Sequence, residues 1–154
     1  MSDRYVHVIW CDDIRQEVGN KPSFMGVYTG GIVLPVLPTI LQRLSIYVWV
    51  NTSVERPFKK VNFKVVRDDG FVLLEMAPES PNGEAFAPVR PDSTRIGVMA
   101  GFALGGVEVP LGCKYFSVFV ETESETLEGP RLRVDVSERL LEEGQVQADS
   151  DLTT

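Results

Sequence analysis

The chain has 154 residues, of which 44% are hydrophobic and 24% are charged, a balance that fits one globular domain and excludes a largely disordered chain. Its net charge of −7 arises after residue 120, because residues 1–120 carry twelve acidic and twelve basic side chains, whereas residues 121–154 carry ten and three. The body of the protein therefore has no basic excess to neutralise a nucleic-acid backbone, and nucleic acid is not expected as a partner.

The N-terminus runs directly into a strand-like stretch without a secretory leader. The longest apolar run, residues 32–41, contains Pro35 and Pro38 and is too short to span a bilayer. Both features predict a cytoplasmic protein with no membrane partner. Cys11 and Cys113 are expected to be reduced, semi-buried thiols, although their separation in sequence leaves a disulfide between them open. With one histidine in the chain, neither a zinc site nor any other cofactor is expected.

Apolar and polar residues alternate along most of the chain, which predicts strands. Asp69-Gly70 is typical of a hairpin turn, and Gly26 and the Gly30-Gly31 pair indicate a bulge within the second predicted strand. The predicted strands cover residues 5–10, 24–34, 44–50, 60–65, 71–76, 95–102, 115–121 and 131–136. About eight strands without an amphipathic helix predict an all-β fold, an antiparallel two-sheet sandwich of the immunoglobulin or C2 kind, with a small β-barrel as the alternative.

Three segments are expected to be irregular. Residues 11–23 are rich in charge and follow the first strand, and residues 78–93 contain four prolines. The C-terminal segment has the pattern of a two-turn helix over residues 137–143 and then a composition typical of disorder. The predicted organisation is one sandwich domain over residues 1–136 and an acidic, flexible tail over residues 137–154.

A Trp-Cys-Asp-Asp-Ile-Arg motif after the first strand, with a Gly-Val-Tyr strand following it, resembles the opening of a family of small uncharacterised bacterial proteins. Further stretches are similar to the middle and the closing strand of that family. The matching segments are residues 10–17, 19–21, 26–28, 56–61, 67–70 and 132–134. The resemblance spans roughly residues 5 to 136 and leaves out the acidic tail. It implies a β-sandwich in a bacterial or phage setting, and it carries over no activity and no catalytic residue.

Two acidic pairs, Asp12-Asp13 and Asp68-Asp69, are the candidate metal ligands. Calcium takes about six to eight oxygen ligands, and acidic loops at one end of a sandwich can supply them. Asp68-Asp69 is equally explained by the hairpin turn, and Asp12-Asp13 by an internal ion pair with Arg15. A hydrolase needs a base beside its nucleophile, and a partly buried structural role is favoured for the single histidine. No catalytic residue is predicted.

The binding residues that the sequence favours lie at the end of the first predicted strand, on the loop after it and on the outer face of the third strand. They are Trp10, Asp12, Asp13, Arg15, Tyr47 and Trp49. Tyrosine and tryptophan are enriched in interface hot spots, which favours another protein as the partner and leaves a homo-oligomer open. The leading hypothesis is a non-enzymatic protein-binding module of a bacterial or phage cytosol. A calcium- or small-ligand-binding sandwich and a structural component of a phage particle or similar assembly are the alternatives.

Overall fold

A computed structural model describes residues 3–80 and 83–137. Ten strands account for most of these residues. Their bounds are β1 Tyr5–Glu17, β2 Lys21–Val27, β3 Gly31–Leu34, β4 Thr39–Ser53, β5 Val61–Arg67, β6 Val72–Met76, β7 Arg95–Val109, β8 Tyr115–Thr122, β9 Thr126–Glu128 and β10 Leu132–Val136. The predicted tail and its helix lie outside the described residues.

The strands form two sheets. The first has four strands in the order β2-β1-β4-β7, and the second has six, in the order β3-β10-β8-β5-β6 with β9 also paired to β8. Both sheets are open, so the predicted two-sheet sandwich is confirmed and the alternative of a closed barrel is not. The prediction of an antiparallel fold needs one correction, because β3 pairs parallel with β10.

The core lies between the two sheets and is built from the rows that alternation predicts to face inward. On β4 every second side chain from Leu44 to Val50 is fully buried, and Val61, Phe63 and Val65 of β5 face them from the other sheet with at most 1% exposure. The Phe63 and Phe102 rings meet edge-on at 6.1 Å between centroids. Burying a side chain of this size contributes about 1.5–3 kcal/mol to stability.

Several predicted boundaries are wrong, among them that of β4, which runs from Thr39 to Ser53 and not over residues 44–50. The first strand does not end at residue 10, since β1 continues to Glu17 and forms a hairpin with β2 where an irregular segment was predicted. The strand predicted over residues 24–34 is two strands in different sheets, because the backbone between β2 and β3 includes Gly30 at φ 124°, a conformation that side chains disfavour. The strand predicted to end at Phe102 continues to Val109.

A buried cluster around Arg4 ties the N-terminus to both sheets. Its guanidinium lies 4.6 Å from the centre of the Phe58 ring and donates a hydrogen bond to Thr52 Oγ1 at 3.2 Å. It also forms an ion pair with Glu123 at 2.5 Å, and it donates to Thr122 Oγ1 at 3.0 Å. A buried charge with several such partners fixes the chain locally. If Arg4 moved away, each partner would stay buried without its hydrogen bond or ion pair, which costs free energy.

The ionisation of Glu123 predicts how stability depends on pH. Burial acts to raise the pKa of this carboxyl, but hydrogen bonds from Arg4 and from the backbone N–H groups of Lys59 and Lys60 outweigh it and hold the pKa at about 2, against 4.5. A lowered folded-state pKa contributes stability that is complete above the unfolded value and is lost as the pH falls between about 4.5 and about 2.

We therefore expect Glu123→Gln to destabilise the protein by up to about 3 kcal/mol at neutral pH, and the difference to shrink steadily in acid. Urea denaturation of both proteins over this pH range measures it. A difference that is constant down to about pH 2 would contradict the expectation, because a group that stays ionised throughout cannot change its contribution.

Candidate binding surface

The outer face of the four-stranded sheet carries aromatic side chains where a solvent-facing sheet surface is ordinarily polar. Tyr5 and Trp49 are each 42% exposed and Met99 is 56% exposed. His7 lies between the two rings, 5.1 Å from Tyr5 and 5.9 Å from Trp49 between ring centroids. The β1–β4 register places His7 opposite Trp49, and the β4–β7 register places Trp49 opposite Met99. These residues, together with Tyr47, form a continuous surface that we call the aromatic face.

The far end of the β1–β2 hairpin reaches over this face. β1 leaves β4 after Cys11 and from there pairs only with β2, so residues 12–26 form an arm. The Phe24 ring of the arm lies 5.1 Å from the Tyr47 ring, edge-on. Ile14 reaches past β4 to β7, where a Cβ added at Gly101 would meet Ile14 Cδ1 at 3.7 Å.

A groove of about 390 Å³ lies between the arm and the sheet. Its walls are apolar side chains of the sheet and mixed side chains of the arm. The residues that line it are Ile14, Gln16, Asn20, Pro22, Tyr47, Met99, Gly101, Phe102 and Ala103. A groove of this size and composition can take one aliphatic or aromatic side chain of a partner.

Polar contacts at the base of the arm hold it in place. Asp13 forms an ion pair with Arg43 of β4 at 2.6 Å, and Ser45 Oγ donates a hydrogen bond to the Asp12 carbonyl at 3.2 Å. The Tyr28 hydroxyl donates to Asp12 Oδ1. Burial and this hydrogen bond raise the pKa of Tyr28 well above its ordinary value, so the phenol keeps its proton as donor. The arm is therefore positioned by the same acidic residues that the sequence singled out.

Glycines on β7 keep the aromatic face flat. A Cβ added at Gly97 would lie 2.5 Å from Trp49 Nε1, which is closer than real side chains approach, so the indole lies directly over the glycine backbone. Gly101 similarly lies beside the Tyr47 ring, where an added Cβ would be 3.5 Å from Tyr47 Cδ2. Side chains on β4 thus cover the backbone of β7, which gives the two rings fixed positions.

The structure places the six predicted binding residues in three different environments. Trp10 is 4% exposed and its indole N–H donates to the Pro130 carbonyl at 2.9 Å, so its inclusion is wrong and it belongs to the core. Tyr47 and Trp49 lie on the aromatic face. Asp12, Asp13 and the exposed Arg15 lie on the arm, which is a paired strand and not the predicted loop.

The two acidic pairs are not brought together. Asp12 and Asp13 bind Tyr28 and Arg43, as described. In the turn after β5, Asp69 pairs with Arg67 at 2.8 Å, and Asp68 accepts a hydrogen bond from the Lys114 backbone N–H at 2.9 Å. Within residues 3–80 and 83–137, no group of three or more His, Cys, Asp or Glu side chains could hold a metal ion. The described residues thus do not assemble the calcium site that the sequence offers as an alternative.

The two cysteine thiols are poorly placed to act as nucleophiles. Cys11 and Cys113 are both free and buried. Burial, assisted by nearby aspartates, raises the pKa of the Cys113 thiol to about 11 and also raises the pKa of Cys11. Thiols of this kind stay protonated at neutral pH and are weak nucleophiles. His7, expected to be partly buried, is exposed between two rings instead.

The sequence pattern missed three of the five residues of the aromatic face. Tyr5, His7 and Met99 lie in register with Tyr47 and Trp49 on neighbouring strands, whereas Phe24 and Ile14 come from the arm. The alternation of β1 does place Tyr5 and His7 on its outer row, and that row is the signal that could have found them. The arm's return across the sheet has no signature in sequence spacing.

Neither a scan against protein-family models nor a search of curated proteins found a match to this chain. The resemblance to small bacterial proteins therefore stays a prediction. In the part of the chain that the structure describes, no helix is long and apolar enough to cross a membrane.

Proposed function

We propose that this protein is a non-enzymatic binding module that recognises another protein through the aromatic face and the groove beneath the arm. The observation that carries the proposal is the exposure of Trp49, Tyr5 and Met99 on one side of a sheet whose other side already supplies the core. Large side chains on an outer sheet face gain little from folding, and they are the residue types that dominate protein interfaces when a partner removes them from water.

The chemistry of the surface indicates the kind of partner segment that fits. The aromatic face offers rings and a thioether, and the groove offers room for one apolar side chain. Arg95 lies over the Tyr5 ring at 4.8 Å, so a cation borders one end of the face, whereas Arg43 at the other end is already ion-paired with Asp13. A partner segment with an aliphatic or aromatic anchor and a flanking acidic residue complements this arrangement.

The test begins by capturing partners from a lysate of cells that make the protein and continues with the purified partner by calorimetry. We expect Trp49→Ala to weaken binding by more than about 2 kcal/mol, roughly 30-fold, because a central aromatic anchor is removed. The matched control is Phe71→Ala, which truncates a ring that is 57% exposed but lies in the turn between β5 and β6, away from the aromatic face. We expect this control to change the affinity less than about twofold.

Equal affinities for the two variants and the native protein would contradict the proposal. So would substrate turnover by the purified protein, since a binding module has none. Melting temperatures of both variants serve to separate lost binding from lost folding, and we expect them to stay within a few degrees of the native value because both side chains are exposed.

A further inference from the structure

Strand β7 forms a long open edge of the four-stranded sheet. It has 15 residues and pairs on one side only, with β4, in a register that runs from Thr39↔Val109 to Ser53↔Arg95. On its other side, within the described residues, no hydrogen bond reaches the backbone between Ile96 and Val107. Only at the end of the strand is a carbonyl covered, where Arg67 donates to the Glu108 oxygen at 3.2 Å. A row of free N–H and C=O groups of this length is a template for another strand.

The β7 edge lacks the features by which proteins ordinarily protect an edge strand. Between Arg95 and Glu108 it has no charged residue and no proline. The other edges are protected: β2 carries Lys21 and Pro22, and β3 and β6 have four and five residues respectively. Lysine, proline and short length are the common means of preventing edge pairing, and β7 uses none of them.

The sequence of β7 is nearly symmetric about Gly101. Reading outward from that residue, each of the first four positions has a counterpart of similar character on the other side, and the match ends at Ile96 and Gly106. The pairs are Ala100 with Phe102, Met99 with Ala103, Val98 with Leu104 and Gly97 with Gly105. Two antiparallel copies of the strand centred on Gly101 would therefore place apolar residues opposite apolar residues and glycine opposite glycine. A two-fold interface requires this kind of self-complementarity.

We propose that β7 pairs antiparallel with β7 of a second copy of this chain, about a two-fold axis at Gly101. The ends of the strand favour this orientation, because it brings Arg95 of one copy towards Val107 and Glu108 of the other. A parallel pairing would instead oppose Arg95 to Arg95 and Glu108 to Glu108, and like charges directly opposite are destabilising. The assembly closes as a dimer, since β2 forms the outer edge at both ends.

The dimer joins the four-stranded sheets of the two copies into one sheet of eight strands. Because the strand pairing continues the sheet, the outer faces of both copies lie on the same side. The two aromatic faces thus become neighbours across the axis, with Met99 of each copy next to it. This inference does not rest on the proposed function, since the edge and its symmetry exist whatever the aromatic face binds.

Sedimentation equilibrium of the full chain over a range of concentrations tests the pairing, with the native protein expected at twice the monomer mass. The proposed register sets Met99 opposite Ala103 of the other copy. The double variant Met99→Lys with Ala103→Lys places lysine opposite lysine twice, and we expect a monomer. The double variant Met99→Glu with Ala103→Lys places glutamate opposite lysine, and we expect the dimer to return. A native protein that is monomeric, or two variants with equal masses, would overturn the proposal.

A cysteine on the axis gives a second test. A Cβ at Gly101 meets only ordinary contacts, and both native cysteines are buried, so Gly101→Cys introduces the accessible thiol. Mild oxidation is expected to give a disulfide-linked dimer. Val72→Cys, 45% exposed on edge strand β6, is the control and should stay monomeric. Equal cross-linking of the two variants would overturn the proposal. A dimer that persists in Trp49→Ala would show that the β7 pairing does not depend on the proposed partner-binding surface.

Discussion

Replacing Arg4 with methionine is expected to lower the free energy of unfolding by about 3 to 5 kcal/mol. The Arg4 side chain is fully buried, and it contacts Glu123 in the turn between β8 and β9 of the other sheet, Thr52 of β4 and the Phe58 ring. Methionine keeps much of the volume but leaves the Glu123 carboxylate without its ion pair and the hydroxyl of Thr52 without its donor. Urea denaturation at neutral pH measures the loss.

The control for this change is Arg133→Met, which removes an arginine whose side chain is 73% exposed and whose ion pair with Asp135 spans 3.4 Å. Exposed pairs contribute about 0–1 kcal/mol, so we expect a small effect. Combining Arg4→Met with Glu123→Gln should cost less than the sum of the two changes, because the double variant leaves no buried charge uncompensated. A strictly additive result would show that the two side chains do not stabilise the fold through their contact.

The Arg4 cluster also shows why part of the fold could not be predicted from the sequence. Alternation identifies the inner row of β4 and of β5, because each side chain's burial follows from its parity within one strand. Arg4 offers no such signal, since its partners Thr52 and Thr122 are 48 and 118 positions away. In sequence it is an ordinary charged residue before a strand. Only the pairing of strands brings the three residues together.

The candidate binding surface could likewise be predicted only in part from the sequence. Parity places Tyr47 and Trp49 on the outer row of β4, which the structure confirms. Parity also places Trp10 on the inner row of β1, where it is 4% exposed, although tryptophan is by residue type a typical binding residue. The arm could not be predicted because a hairpin that continues past its sheet has the same alternation as one that stays within it. Ile14 and Phe24 reach the aromatic face only because the hairpin continues past its sheet.

The two surfaces proposed here share a physical origin in the glycines of β7. Gly97 and Gly101 allow the rings of Trp49 and Tyr47 to lie over the strand, which builds the aromatic face. The same small residues leave the backbone edge without side chains to shield it. Glycine within a strand ordinarily weakens it, and here that cost is offset by β4, which pairs with β7 along its whole length. The glycines of β7 thus allow the aromatic face to form on one side of the strand and leave its backbone edge open to pairing.

Phe63→Ala is expected to lower the free energy of unfolding by about 3 to 5 kcal/mol, since it removes a fully buried ring from the centre of the core and leaves a cavity. The ring lies against Phe102 of β7 across the interior, so its loss removes an aromatic contact between the two sheets. Phe71→Ala is the matched control, because the same atoms are removed from a ring that is 57% exposed. Urea denaturation of both variants measures the difference, and equal losses would show that the two sheets do not depend on this contact.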